Sequence, residues 1–401
     1  MQPSETRTAA DRLDIREVPL GESVDLDRLI QAVSIYGGGP DDDRLTLVDF
    51  RRSSTFDVIA LLFLLGMVKA RLKDDRLTRF RLPQSRAALS ALRGAGFLDA
   101  ASHVTRAPLP LLLAREDVQR LAKPPETLNW GTGTATEQIL QDLQHKRVLG
   151  LSLHPLGNET DKNRMVENEL ERWTDPLALA LFSQHLKEAA EWDVARVVVH
   201  EILANVQEHP QASVAVVAAQ MSLPTGRRES ADGGLTVAVW DDGKSIVETL
   251  RECMVSRGDV RVSPPPDRFT VRVVRSSSIP GPPGHPPLLP SDWSPSLDGD
   301  DAELLLASLF PGISRKDPRG RAPDTDRSDI FLGCGLYFLY RHVIDVFRGS
   351  LDLYSGSTRL TISAESDPES GAQYLVTVHG GPRVPRISGN LVVARLPTHA
   401  G

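Results

Sequence analysis

Residues 197–210 read VVVHEILANVQEHP, and the rest of the chain is best interpreted outward from them. Glu201, Asn205 and His209 follow one another at intervals of four, which on a helix sets them in one row. Val197, Val198, Ile202 and Val206 are expected to form the buried side of that helix. A row of three polar groups makes sense if it faces something polar. An asparagine oxygen can ligate an octahedral Mg²⁺ that also holds phosphate oxygens, and a glutamate one turn earlier can orient or deprotonate a nucleophile at a γ-phosphate. Taken alone, the spacing fits an ordinary solvated helix face just as well.

Downstream, the apolar run LTVAVW at 235–240 predicts a strand that ends in Asp241, Asp242 and Gly243. A carboxylate at a strand end can accept a hydrogen bond from an exocyclic amine, and the glycine lets the backbone pass close to a flat base. The following GKS is no P-loop, because Ala238 stands where that motif needs its first glycine. Further on, Gly333, Cys334, Gly335 and Leu336 open an amphipathic helix that ends before Gly349. Glycines at a helix N-terminus expose backbone N–H groups to phosphate. An acidic turn and a plain helix start would account for these two segments taken singly. Strands at 350–354, 359–363, 373–379 and 391–396 predict an antiparallel sheet packed by the preceding helices.

Together, the order and contexts of these motifs resemble the GHKL superfamily, the ATP-binding module shared by histidine kinases, anti-sigma-factor kinases, type II topoisomerases and heat-shock chaperones. Glu201, Asn205 and His209 match its N box, Asp241 and Gly243 its first glycine box, and Gly333, Gly335 and Leu336 its second. Gly389 before LVVARLP resembles its terminal glycine-and-strand element, and the resemblance spans residues 160–397. It implies a Bergerat-type α/β sandwich, a mixed sheet covered on one face by helices, with ATP and Mg²⁺ bound between the helices and a long lid at about 251–332. By the same resemblance Glu201 is the general base, Asn205 the Mg²⁺ ligand, and Asp241 rather than Asp242 the residue that selects adenine. The implied activity is ATP hydrolysis or phosphorylation of a protein serine or threonine in a regulatory partner switch. The alternative is a non-catalytic, ATP-gated interaction module.

Three departures bear on mechanism. Ser245 stands where the first glycine box has its last glycine, and Glu208 where histidine kinases commonly carry a basic residue. His154 lies beside Pro155 in LSLHPLG and not in a phosphoacceptor helix, so a conventional sensor histidine kinase is not expected. Within the lid span, ten prolines between residues 263 and 299 predict a mobile excursion without helix or central strand. Arg315, Lys316, Arg319 and Arg321 could meet phosphates there or simply form a solvated basic loop.

The N-terminal part alternates differently. A strand at 45–50 leads into a mostly buried helix reaching Leu72, with Ser53, Ser54 or Thr55 as N-cap and Asp57 in the first turn. A strand at 78–82 and a helix at 85–93 follow, ending near Gly94 and Gly96. This order resembles a STAS-like domain, the module of anti-anti-sigma factors, over about 60 residues. In that family a serine at the strand-to-helix turn is phosphorylated, and Ser53 and Ser54 lie near that place; helix capping is their simpler role. The expected division is a small α/β domain at 1–122, a linker at 123–136 and the ATP-binding domain at 137–401.

The 401-residue length suits two domains, and a net charge of −7 argues against a general nucleic-acid-binding surface. Two cysteines, Cys253 and Cys334, are too few for a disulfide framework. The longest apolar run, residues 58–68, falls short of the ~20 residues of a membrane span. A cytoplasmic protein off the membrane is expected, with ATP and a regulatory protein as partners and a homodimer left open.

Overall fold

The computed structural model describes residues 15–37, 44–122, 148–174, 189–208, 211–222, 234–257, 271–275, 300–309, 335–366, 372–379 and 384–397. The expected linker, His209 and Gly333 lie outside these residues. So do 175–188 and the basic run from Arg315 to Arg321.

The N-terminal part runs β1 (Ile15–Pro19), β2 (Ser23–Val24), α1 (Leu26–Tyr36), β3 (Leu45–Asp49), β4 (Thr55–Phe56), α2 (Val58–Lys73), β5 (Thr78–Arg81), α3 (Arg86–Gly94), α4 (Phe97–Thr105), α5 (Leu109–Leu112) and α6 (Arg115–Ala122). β1, β3 and β5 pair in parallel in that spatial order. α2 starts later than its serines suggest. Thr55 and Phe56 pair with β2, so the helix opens at Val58, and the N-cap is Asp57, whose carboxylate accepts from the Ile59 N–H. Burial pushes the Asp57 carboxyl above its ordinary range, with the Ile59 hydrogen bond acting against it. Ser53 and Ser54 instead donate to the carbonyls of Gly21 and Glu22, and Ser53 is buried. Ser85, where the helix at 85–93 is expected to begin, is the N-cap of α3.

The second part runs β6 (Val148–Pro155), α7 (Glu159–Thr174), α8 (Ala189–Glu208), β7 (Val214–Ser222), β8 (Gly234–Asp241), α9 (Ile246–Arg257), β9 (Val271–Arg275), α10 (Asp301–Ala307), α11 (Gly335–Arg341) with a π-helical turn at His342–Val346, β10 (Ser350–Ser355), β11 (Thr358–Ala364), β12 (Tyr374–His379) and β13 (Asn390–Pro397). Its eight strands form one mixed sheet in the order β6-β7-β8-β13-β10-β11-β12-β9. Within 263–299, residues 271–275 form an ordered strand that pairs in parallel with β12, where the expectation excluded a central strand but not an edge one. They do so at the sheet's edge, the one place where a strand between proline-rich segments loses little. Within the expected lid span, residues 251–257 finish α9, and Leu304, Leu305 and Leu306 of α10 are buried in the core.

Side chains alternate across this sheet with the period of two that a strand imposes. Val217, Val237, Val239, Leu351, Leu353, Val392 and Ala394 join one core with α8, α10 and α11. Val216, Ala218, Ala238, Trp240, Tyr354, Leu391 and Val393 point the other way, into a core built around α2. Both faces are therefore covered, and the expectation of helices on one face only is corrected. The sheet's strands carry apolar residues on both sides, and the second set is satisfied by a helix from the N-terminal part.

α2 is fastened as well as packed. Its Gly66 carbonyl accepts from the Ser388 N–H, and the Val58 N–H donates to the Gln220 side chain of β7. Beside it, Asp352 is fully buried with Arg359, Arg395 and Thr361, and Arg359 reaches Asp27 of α1. Burial alone would raise the Asp352 carboxyl, but the two guanidinium charges and the Thr361 hydroxyl outweigh it and hold it below the usual range. Among the described residues no helix is long and apolar enough to cross a membrane.

Candidate functional site

α8 lies on the sheet at β8 and packs against α7 and α11. Val198, Val199, Ile202, Leu203 and Val206 are fully buried beneath it. Val197 is not, contrary to expectation: at 40% exposed it belongs to the outward row that continues with Glu201 and Asn205 at intervals of four. Glu201 is partly exposed, with His200 Nδ1 3.9 Å from its carboxylate. The Asn205 Nδ2 donates to the Glu201 carbonyl at 2.8 Å. That bond fixes which end of the amide is nitrogen and leaves the oxygen as the end the helix does not engage.

Asp241 ends β8 between Ala215 of β7 and Asn390 of β13. It is buried, and its Oδ1 accepts from the Gly243 N–H at 2.9 Å, closing a tight turn. The next residue faces a different task. Asp242 accepts from the Ser213 and Val214 N–H groups at 2.7 and 2.9 Å and from the Ser213 hydroxyl at 2.6 Å. Two adjacent buried carboxylates thus divide: Asp242 ties strands together while Asp241 borders the turn.

Ser245, which stands where the resemblance expects a glycine, has a structural role. Its N–H donates to Glu248 Oε2 and its hydroxyl accepts from the Glu248 N–H, a reciprocal capping box that starts α9. Asn390 organises the same loop from β13, accepting from the Ile246 N–H at 2.8 Å and donating to the Lys244 carbonyl at 3.0 Å. Gly389 at φ +72° makes this possible, since a Cβ there would sit 1.9 Å from the Asp241 carbonyl oxygen. The sequence marked Gly389 but not Asn390, whose only signal is a polar residue opening an apolar strand.

Gly335 begins α11, and Leu336 is partly buried against the core shared with α8. The structure therefore sets α8 directly against β8, which ends at Asp241, and against α11, which Gly335 opens. Among the described residues no group of three or more His, Cys, Asp or Glu could hold a metal. A divalent ion near Asn205 would need phosphate oxygens or water for its other ligands.

A second candidate is a cleft of about 770 Å³ at the carboxyl ends of β1, β3 and β5, lined by Glu17, Asp49, Arg51 and Arg52 among others. Its main cation is already spent, because Arg51 forks onto Asp49 at 2.5 and 2.8 Å and reaches Glu17 at 3.0 Å. Burial works against the charged form of Asp49, but the Arg51 hydrogen bonds hold its carboxyl below the ordinary range. Among the described residues the strand order also never reverses there, so the cleft lacks the switch point at which parallel sheets open a ligand crevice. Comparison with protein-family models, with curated proteins and with solved structures finds no match for this chain.

Proposed function

We propose that the chain binds ATP with Mg²⁺ in a GHKL-type site formed by α8, the end of β8 and the start of α11. The observation that carries this reading is the row of Glu201 and Asn205. Two polar groups stay partly accessible on a helix whose other face is fully buried, and the Asn205 oxygen is the end left for a cation. That donor set fits Mg²⁺, which takes few protein ligands and completes its shell with phosphate and water. Bound there, Mg²⁺ would neutralise charge on the phosphates. Asn205 would hold the ion, Glu201 would accept a proton from water or a protein hydroxyl, and Asp241 would accept from the adenine amine.

A second reading, an ATP-gated interaction module without turnover, is favoured by Ser245. Its capping box commits the loop after Gly243 to starting α9, at the position where the family keeps a glycine. Isothermal titration separates the nucleotide reading from an ordinary helix face. Asn205→Ala should weaken Mg·ATP binding by at least about tenfold to a hundredfold, the loss that follows removal of even an outer-shell partner of a bound metal. Unchanged affinity in a folded Asn205→Ala protein removes the assignment, and phosphate release by the wild type decides between enzyme and module.

A further inference from the structure

We propose that Lys69 of α2 is a positioning residue for the Asp241 end of β8, so that the N-terminal part tunes nucleotide binding from behind the sheet. The proposal rests on the nucleotide reading above. Lys69 is the first position after eleven consecutive buried residues of α2, and its ammonium lies 3.3 Å from Asp242 Oδ2. The pair is shielded, with the side chains 15% and 3% exposed. Lys69 also donates to the Val104 carbonyl of α4 at 3.2 Å, and Lys73 Nζ lies 3.4 Å from the Asp242 carbonyl oxygen. One ammonium thus links α2, α4 and the residue next to Asp241.

A second strand of contacts reaches Asp241 from the other side. The Ser388 N–H donates to the Gly66 carbonyl at 2.9 Å, and the Ser388 carbonyl accepts from Trp240 Nε1 at 2.8 Å. Gly389, next in the chain, abuts the Asp241 carbonyl. Asp241 is held between two neighbours that are both tied to α2. Removing the Lys69 charge takes the ion-pair partner from the buried Asp242 carboxylate and leaves it its hydrogen-bond donors, with the Lys73 ammonium on its backbone carbonyl only, a loss that a shielded carboxylate tolerates poorly. The turn from Asp242 to Gly243 is then free to relax, and the Asp241 carboxylate moves with it.

The test is a double-mutant cycle on the full chain with Lys69→Met, Asp242→Asn and both together, read by Mg·ATP and Mg·GTP titration and by hydrogen exchange without nucleotide. Lys69→Met should lower ATP affinity about tenfold, within the ordinary range of coupling between sites, and leave GTP affinity unchanged. It should speed exchange of the Gly243 and Ile246 amides and have no added effect in the Asp242→Asn background. Equal ATP loss in both backgrounds, or unchanged exchange at 243–246, overturns the positioning role. Wild-type protein without ATP affinity overturns the nucleotide reading instead, and the exchange result still decides whether Lys69 holds the turn. If Lys69→Met does not fold, Lys69→Gln, which can still donate to Val104, carries the same comparison.

Discussion

α2 and α8 press on opposite faces of one sheet, and their sequences differ as their surroundings do. Residues 58–68 of α2 are all buried, with the N-terminal elements on one side and β7, β8 and β13 on the other. α8 buries five residues between Val198 and Val206 and leaves Val197, His200, Glu201, Ala204 and Asn205 at least partly accessible. A helix enclosed all round can act on a ligand only through what it touches, as Lys69 touches Asp242. A helix with one wet side can present groups directly. Chemistry is therefore expected from α8 and cooperativity from α2.

The largest effect that would sharpen this contrast is on α8. Glu201→Gln keeps the shape of the side chain but removes the proposed base, so phosphate release should fall about a hundredfold to ten-thousandfold while ATP affinity holds within about threefold. Single-turnover measurements beside titration check it. Equal turnover in the variant excludes Glu201 as the base, and collapse of affinity would make its role structural.

Next comes Leu62→Ala on α2, where the side chain is fully buried. The cavity should cost about 2–5 kcal/mol in urea unfolding. Because α2 shares a core with Val216, Trp240 and Val393, fluorescence of the tryptophans and circular dichroism should shift together. A separate, unshifted transition would mean that the sheet folds without α2.

The smallest expected effect is the most diagnostic of contact. Glycine inside a helix is ordinarily worth replacing, since alanine gains up to about 1 kcal/mol. At Gly66 an added Cβ would lie 2.8 Å from Trp240 Nε1 and 3.1 Å from the Ile387 Cβ. The indole is buried and hydrogen-bonded, so it has little freedom to yield. Gly66→Ala should therefore lose about 1–3 kcal/mol, as overpacking does. A gain in thermal midpoint would show that α2 rides more loosely on the sheet.

What the sequence determined by itself is local. The period-four row of Glu201 and Asn205, the strand at 235–240, the apolar run from Val58 to Val68 and the helix from Ser85 each depend on residues within a turn or two. Hydrophobic period and capping chemistry act over that range. The misplaced helix start shows the limit of that range: Ser53 and Ser54 lost the cap to Asp57 because Thr55 and Phe56 were taken by β2, a partner some 30 residues away. The tertiary structure alone decided which helix covers the second face of the sheet, that residues 271–275 join β12, and that Asp242 meets Lys69. Those pairings join residues about 100 to 320 positions apart, and many apolar helices or edge strands could satisfy the same pattern. Only the closing of two cores on one sheet selects among them, because each choice must bury the alternate residues of the same strands at once.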